Sequence, residues 1–141
     1  MLDDAAIDAL AARFLAGALP RAEWTHAAHF AVALWLLRHR PQLADAEGMG
    51  PLIRAHNDSV GTPNTDSSGY HHTITVASLR VAADFAARFG ATAPLSEILA
   101  ALLASPAGRS GWLEAYWSCE RLFSVAARRG WVEPDLAPLP G

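Results

Sequence analysis

The sequence predicts an all-α protein, a compact bundle of about six or seven helices that forms one domain over residues 1–141. Three observations support this prediction. Apolar residues make up 52% of the chain, which is enough to build a core at this length. They recur at helical spacing between glycine and proline breaks. No segment shows the alternation of a strand or the turn of a hairpin.

The first two predicted helices are the clearest. Asp3 can cap a first helix that runs to about Ala16. A second helix begins at Pro20 or at Thr25 and stops at Pro41, since proline cannot continue a helix. Its middle is apolar at almost every position, which is typical of a central, buried helix.

A weaker helix is predicted over residues 42–58. Gly48, Gly50 and Pro51 interrupt it, and we expect it to restart at Pro51. A loop of turn-forming residues follows from Ser59 to Gly69. Loops of this length in compact domains are often functional.

The second half of the chain continues the helical pattern. A fourth helix begins at about Ser68 or Tyr70 and ends at Gly90. Three shorter helices are then predicted over residues 94–105, residues 111–117 and, with Ser118 as its cap, residues 119–130. The tail from Trp131 to Gly141 holds three prolines and is expected to lie extended on the surface of the bundle.

Composition narrows the classes of function. The net charge of −3 argues against a nucleic-acid partner, and no apolar run is long enough to span a membrane. The acidic N-terminus is unlike a signal peptide, so the cytoplasm is the expected location. All 11 basic residues are arginine, which excludes a Schiff-base lysine and a P-loop. A small molecule is the expected partner, and a homodimer is left open.

An HxxH motif, His26-Ala27-Ala28-His29, begins the second helix. Residues three apart on a helix lie on one face. With Thr25 as the cap, both histidines fall in the first turn, where the helix dipole disfavours imidazolium. Neutral imidazole is the form that binds a metal ion or acts as a general base.

A second histidine pair, His71-His72, follows Tyr70 at the start of the fourth helix. His71 lies on the more buried side of that helix, whereas the orientation of His72 is ambiguous. The second and fourth helices would begin at the same end of an up-down bundle, which would bring the two pairs together. His39 and His56 fall near helix ends and are expected on the surface, without a function.

These residues lead to the hypothesis of a small metal-dependent enzyme. His26, His29 and His71 would bind a divalent metal ion, with zinc first and iron, nickel or copper as alternatives. The metal would activate water or polarise a carbonyl of a low-molecular-weight substrate, as in a hydrolase or lyase. His72 would be a fourth ligand or a base, and Arg121 would orient the substrate.

Four further residues are expected to contact the substrate: Trp24, Asn64, Asp66 and Tyr70. Structural roles are the alternatives for several candidates. Asn64 and Asp66 could instead order the loop through Asx-turns. Arg121 could instead pair with Glu114 or Asp135 and tie down the tail. Cys119 is expected to be a small core residue rather than a nucleophile.

Two other functions compete with the metal-dependent enzyme. The first is a non-catalytic binding module, in which a pocket lined by tryptophan and histidine holds an aromatic or anionic metabolite. It predicts hydrogen-bonded histidines without a metal. The second is a purely structural or partner-binding bundle, in which the HxxH histidines bond backbone groups far from the second pair.

Three motifs carry a resemblance: Trp24-Thr25-His26-x-x-His29, Tyr70-His71-x-Thr73-Ile74-Thr75 and Trp117-Ser118-x-x-Arg121-Leu122-Phe123-Ser124. Together they resemble a group of small, largely uncharacterised all-helical bacterial proteins over residues 20–139. The resemblance implies no function. This chain has His72 where the group often has an acidic residue, and Val125 where it often has proline. It is similar only in architecture to the DinB-like bundles, which bind a metal through three histidines.

Overall fold

The structure, a computed structural model, describes residues 2–140, and this part of the chain forms helices without any strand. The helices are α1 (Asp4–Leu15), α2 (His26–His39), α3 (Ala46–Ser59), α4 (His72–Phe89), α5 (Leu95–Ala104), α6 (Cys119–Leu122) and α7 (Val125–Arg129). The all-α prediction is confirmed. Met1 and Gly141, the ends of the predicted domain and tail, lie outside the described residues. None of the described helices has both the length and the apolar character needed to cross a membrane.

Helix α2 is the centre of the bundle, as its uniformly apolar sequence predicted. It packs against α1, α4 and α5. Its buried residues run through the middle of the helix: Ala28, Phe30, Ala31, Val32, Ala33, Leu34 and Leu36. Thr25 caps it, since the side-chain hydroxyl accepts the Ala28 N–H at 3.1 Å. The polar side chains of its first turn therefore lie at one end of the core.

Helix α3 is continuous, and the predicted interruption at its glycines and Pro51 is wrong. Asp45 starts the helix early by accepting the Gly48 N–H at 2.7 Å. The glycines allow close packing rather than breaking the helix. A Cβ on Gly48 would lie 2.5 Å from a backbone atom of the preceding turn. A Cβ on Gly50 would lie 3.1 Å from the Tyr70 hydroxyl.

The region after α5 is divided differently from the prediction. The helix predicted over residues 111–117 is a short 3-10 turn, Trp112–Ala115. Ser118 does cap a helix, but α6 ends after about one turn. Ser124 then caps α7 by accepting the Ala127 N–H at 3.1 Å. Two serine caps in close succession therefore split the predicted last helix.

The segment 131–140 is held against the start of α6. The Asp135 carboxylate accepts the Ser118 N–H at 2.8 Å and the Ser118 hydroxyl at 2.7 Å. Cys119 is exposed, so its predicted place in the core is wrong. Its thiol lies 3.5 Å from the Glu114 carboxylate, which raises the pKa of the thiol. Cys119 is the first residue of α6, and its side chain lies beside the exposed Glu114 rather than in the core.

Candidate functional site

One cavity of about 380 Å³ lies at the end of the bundle where α2 and α4 begin. The C-terminal half of α3 closes its third side. The helices contribute both apolar and polar lining residues, among them His29, Ile53, His56, Ile74, Ser78 and Leu79. Within the described part of the chain, no acidic side chain lines this cavity. Mostly apolar cavities of this size with a few polar groups are typical small-molecule sites.

A stack of three rings fixes His29 at the cavity. The Trp24 indole lies 4.5 Å from the Phe14 ring and 3.9 Å from the His29 ring, with interplanar angles of 14° and 28°. Two rings this close to one indole must occupy its opposite faces. Trp24, which was predicted to contact substrate, does line the cavity, but only its edge is open to a ligand. Its main contact is with His29.

His29 is neutral at pH 7. Burial, and then the nearby imidazoles of His26 and His56, lower the pKa of His29 to about 4. A neutral imidazole carries one N–H donor and one acceptor lone pair. The neutral state was predicted from the helix dipole, whereas burial is its largest cause here.

His56 is buried, and its predicted place on the surface is wrong. Only 1% of its surface is exposed, although it lines the cavity. Neither ring nitrogen has a hydrogen-bond partner in residues 2–140. The rings of Trp24 and Phe14 lie 5.1 Å and 5.7 Å away and offer the imidazole no hydrogen-bond acceptor. Burial lowers the pKa of His56, so this ring is also neutral at pH 7.

His26 points away from the cavity. Its Nε2 lies 2.8 Å from the Ala107 carbonyl, to which it donates. Its ring edge packs against Phe30, with 5.2 Å between the centroids. The first histidine of the HxxH motif therefore fastens α2 to the 3-10 turn Pro106–Gly108.

His71 lines the cavity but uses both ring nitrogens in the fold. Nδ1 accepts the Ile74 N–H at 3.2 Å and so caps α4. Nε2 lies 2.7 Å from the Leu122 carbonyl, and it must donate since the oxygen can only accept. These two bonds select one neutral tautomer, and burial is the largest cause that lowers the pKa of His71.

His72 and Tyr70 contact each other. The Tyr70 hydroxyl lies 3.2 Å from His72 Nδ1. Tyr70, a predicted substrate contact, lines the cavity, with the Arg54 guanidinium 4.7 Å from its ring centroid. Burial raises the pKa of the Tyr70 hydroxyl. His72, the predicted base, is half-buried beside the cavity and is not among its lining residues.

Asn64 and Asp66, the predicted substrate contacts of the loop, hold the loop in place. Asn64 Oδ1 accepts the Asn57 side-chain N–H at 2.9 Å and the Tyr70 N–H at 3.0 Å. Asp66 forms a two-pronged ion pair with Arg129 of α7, at 2.8 Å and 2.6 Å. Neither residue lines the cavity. Both residues order the loop, Asn64 through residues close to it in the chain and Asp66 through the distant Arg129.

Arg121 lies on the exposed side of α6 and is not a lining residue. Its Nε–H donates to the Glu133 carbonyl at 2.6 Å. This bond ties the C-terminal segment to α6, which is the alternative role considered above. The partner is the Glu133 backbone rather than Glu114 or Asp135.

The structure does not bring the three predicted metal ligands together. His26 and His71 direct ring nitrogens to backbone groups, and of the three only His29 and His71 line the cavity. Across residues 2–140, no three His, Cys, Asp or Glu side chains are grouped closely enough to hold a metal ion. Metal binding therefore stays a prediction from the sequence.

His56 and Arg21 are lining residues that the sequence analysis missed. The pattern that could have found His56 is the buried face of α3, where Met49, Ile53, His56 and Asn57 recur at helical spacing. The helix predicted to restart at Pro51 already contains Ile53, His56 and Asn57 at this spacing, but the position of His56 near a helix end led to its placement on the surface.

Comparison of the chain with protein-family models, curated proteins and solved structures finds no match. The chemistry of the cavity is therefore the basis for assigning a function. Its walls can enclose an apolar body. His29 and His56 can each donate and accept one hydrogen bond from a neutral ring.

Proposed function

We propose that the protein is a non-catalytic binding module that holds one small, largely apolar molecule in the cavity between α2, α3 and α4. The observation that carries this proposal is His56, a buried imidazole without a partner for either nitrogen within residues 2–140. Leaving a buried polar group unpaired costs about 1–3 kcal/mol. A ligand that bonds the His56 ring would recover this energy.

The size of the cavity limits the ligand. A volume of 380 Å³ equals that of about a dozen liquid water molecules. A compact ligand of roughly a dozen non-hydrogen atoms is therefore the right scale. Met49, Ile53 and Leu79 supply apolar wall, and burial of apolar ligand surface contributes about 25 cal/mol per Å².

The test is to fill the cavity without disturbing the rest of the fold. Ser78 lines the cavity from α4 and is half-buried, so Ser78→Leu replaces one hydroxyl oxygen with three carbon atoms in the space that a ligand needs. Ser96→Leu is the matched control, because Ser96 is half-buried on α5 and lines a separate groove. Circular dichroism checks that both variants fold.

Compact aromatic and aliphatic compounds are screened by ligand-observed NMR, and hits are titrated by calorimetry. We expect hits that bind wild type and Ser96→Leu equally and bind Ser78→Leu at least tenfold more weakly. A screen without hits, or hits that Ser78→Leu binds as tightly as wild type, would contradict the proposal.

A metal-dependent enzyme is the second candidate, since His29 and His56 bring two neutral imidazoles to one cavity. Catalytic zinc sites generally use three protein ligands, which is why we place this candidate second. Metal analysis of the purified protein after dialysis against Zn²⁺ tests it. A stoichiometric metal that His29→Ala removes would favour the enzyme over the binding module.

A further inference from the structure

Fixed charge around the cavity has one sign. Among the lining residues of the described chain, Arg21 is the one side chain that is ionised at every pH near neutrality. No carboxylate faces it from the cavity wall. A cationic ligand would therefore meet a cation and no counter-ion, whereas an anionic ligand would meet a counter-ion.

Arg21 lies at the open rim. It is exposed, and its Nη2 donates to the Val60 carbonyl at 2.5 Å, just past the end of α3. Arg21 belongs to the segment before α2, and this bond holds its guanidinium against the end of α3. It uses one of five N–H donors. Among the described residues no carboxylate forms an ion pair with Arg21, and the nearby Glu23 is paired with Arg13.

The helices add to the positive potential. The first turns of α2 and α4 line the cavity through His29 and Ile74, and each N-terminus carries roughly half a positive charge. The C-terminal half of α3 opposes them with one negative end. The positive charge of two helix N-termini and Arg21 is larger than the negative charge of the one helix C-terminus, so the potential in the cavity is positive.

The part of the wall that His56 forms has a different chemistry. His56 is 1% exposed there, with a neutral ring whose donor and acceptor have no partner in residues 2–140. A hydroxyl can donate to one imidazole nitrogen or accept from the other. The lining of the cavity thus combines an exposed cation, apolar side chains and a buried, unpaired imidazole.

We infer that the ligand is a compact carboxylate with an apolar body and a hydroxyl at the opposite end. The carboxylate meets Arg21 at the rim, the body lies between α3 and α4, and the hydroxyl bonds His56. This inference rests on the proposed function and names the ligand class of the same site.

Four matched probes test both ends of the ligand by calorimetry at pH 7. 4-Hydroxyphenylacetate carries both groups and has about a dozen non-hydrogen atoms, the size estimated from the cavity. 4-Hydroxyphenethyl alcohol and 4-hydroxyphenethylamine replace the carboxylate with a neutral group and a cation. Phenylacetate lacks the hydroxyl. We expect 4-hydroxyphenylacetate to bind at least tenfold more tightly than each of the other three.

Two variants, Arg21→Gln and His56→Phe, test which residue causes each preference, and Arg88→Gln is the control. Arg21→Gln should bring the carboxylate and alcohol probes within threefold of each other. Arg88→Gln makes the same charge change at an exposed Arg88 that pairs with Asp84, and it should preserve the wild-type ratio. His56→Phe should remove the preference for the hydroxyl and keep the preference for the carboxylate.

The outcomes separate this inference from the proposed function. If wild type binds the alcohol probe as tightly as the carboxylate probe, the inferred ligand class is wrong, although a binding module remains. If none of the four probes binds, while other screening hits are sensitive to Ser78→Leu, the inference alone fails. If the screen also yields nothing, both fail.

Discussion

Two buried histidines line the same cavity and have opposite effects on the stability of the fold. His71 caps α4 with 7% of its surface exposed, and both of its ring nitrogens are bonded. His56 lies in α3 with 1% exposed, and neither nitrogen is bonded within residues 2–140. Burial alone therefore does not reveal the role of a histidine. The partners of the ring do, since a paired ring stabilises the fold and an unpaired ring destabilises it.

Position along the helix explains the difference. His71 precedes α4, where first-turn N–H groups need an acceptor, and α6 brings the Leu122 carbonyl to the other side of the ring. His56 lies inside α3, where the helix already satisfies the nearby backbone groups. Its neighbours in space are the rings of Phe14 and Trp24. These rings offer contact without an acceptor.

The largest expected effect comes from removing the paired ring. His71→Ala removes the cap on the Ile74 N–H, worth about 1 kcal/mol, and leaves the Leu122 carbonyl unpaired at a cost of about 1–3 kcal/mol. We expect urea denaturation to show a loss of about 3 kcal/mol. His72→Ala is the control and should lose less than about 1 kcal/mol, since His72 is half-buried with one side-chain bond. Equal losses in both variants would contradict the comparison.

The second effect is a pH dependence of the free energy of unfolding through His29, a third histidine that lines the cavity. Its pKa is about 4 when folded, against 6.5 as the ordinary value. Between these values the unfolded chain binds a proton that the folded chain does not, so the free energy of unfolding falls as pH falls. A shift of one pKa unit corresponds to about 1.4 kcal/mol in the free energy of unfolding. Because solvent reaches part of the His29 ring, we expect a loss of about 2 kcal/mol in that free energy.

Urea denaturation of wild type and His29→Gln at pH 6.5 and at pH 4 measures this loss. The drop should be smaller in His29→Gln by about 2 kcal/mol. His39→Gln is the matched control, because His39 is exposed. Carboxylates such as Asp66 and Asp135, whose pKa values ion pairing and hydrogen bonds lower, contribute in both variants and cancel in the difference. Identical pH profiles for wild type and His29→Gln would show that His29 titrates normally.

The smallest effect has the opposite sign. His56→Phe removes two unpaired buried nitrogens and keeps a ring among rings, so we expect a gain of about 1 kcal/mol in the free energy of unfolding. The larger ring can extend into the cavity that His56 lines, which limits overpacking. His39→Phe, at an exposed position, should change stability by less than about 0.5 kcal/mol. A loss on His56→Phe would mean that the imidazole has a stabilising partner.

Part of the site could be predicted because it depends on local rules. The HxxH motif led to His29, and its neutral state was predicted correctly. His56 was missed because its burial depends on the rings of Phe14 and Trp24, which lie more than thirty residues away in the chain. The loop residue Asp66 shows the same dependence on a distant partner. The partner of Asp66 is Arg129, which no local pattern could have indicated.

The sequence by itself determined the helical class, the central position of α2 and the caps at Asp3 and Ser118, and it indicated Thr25 as one of two possible starts of α2. These features depend on side chains and backbone groups a few residues apart, so short-range spacing suffices to find them. Only the tertiary structure decided which histidines share a cavity and which have partners. Those outcomes depend on groups that are distant in the chain, such as the Leu122 carbonyl that meets His71 and the rings that surround His56.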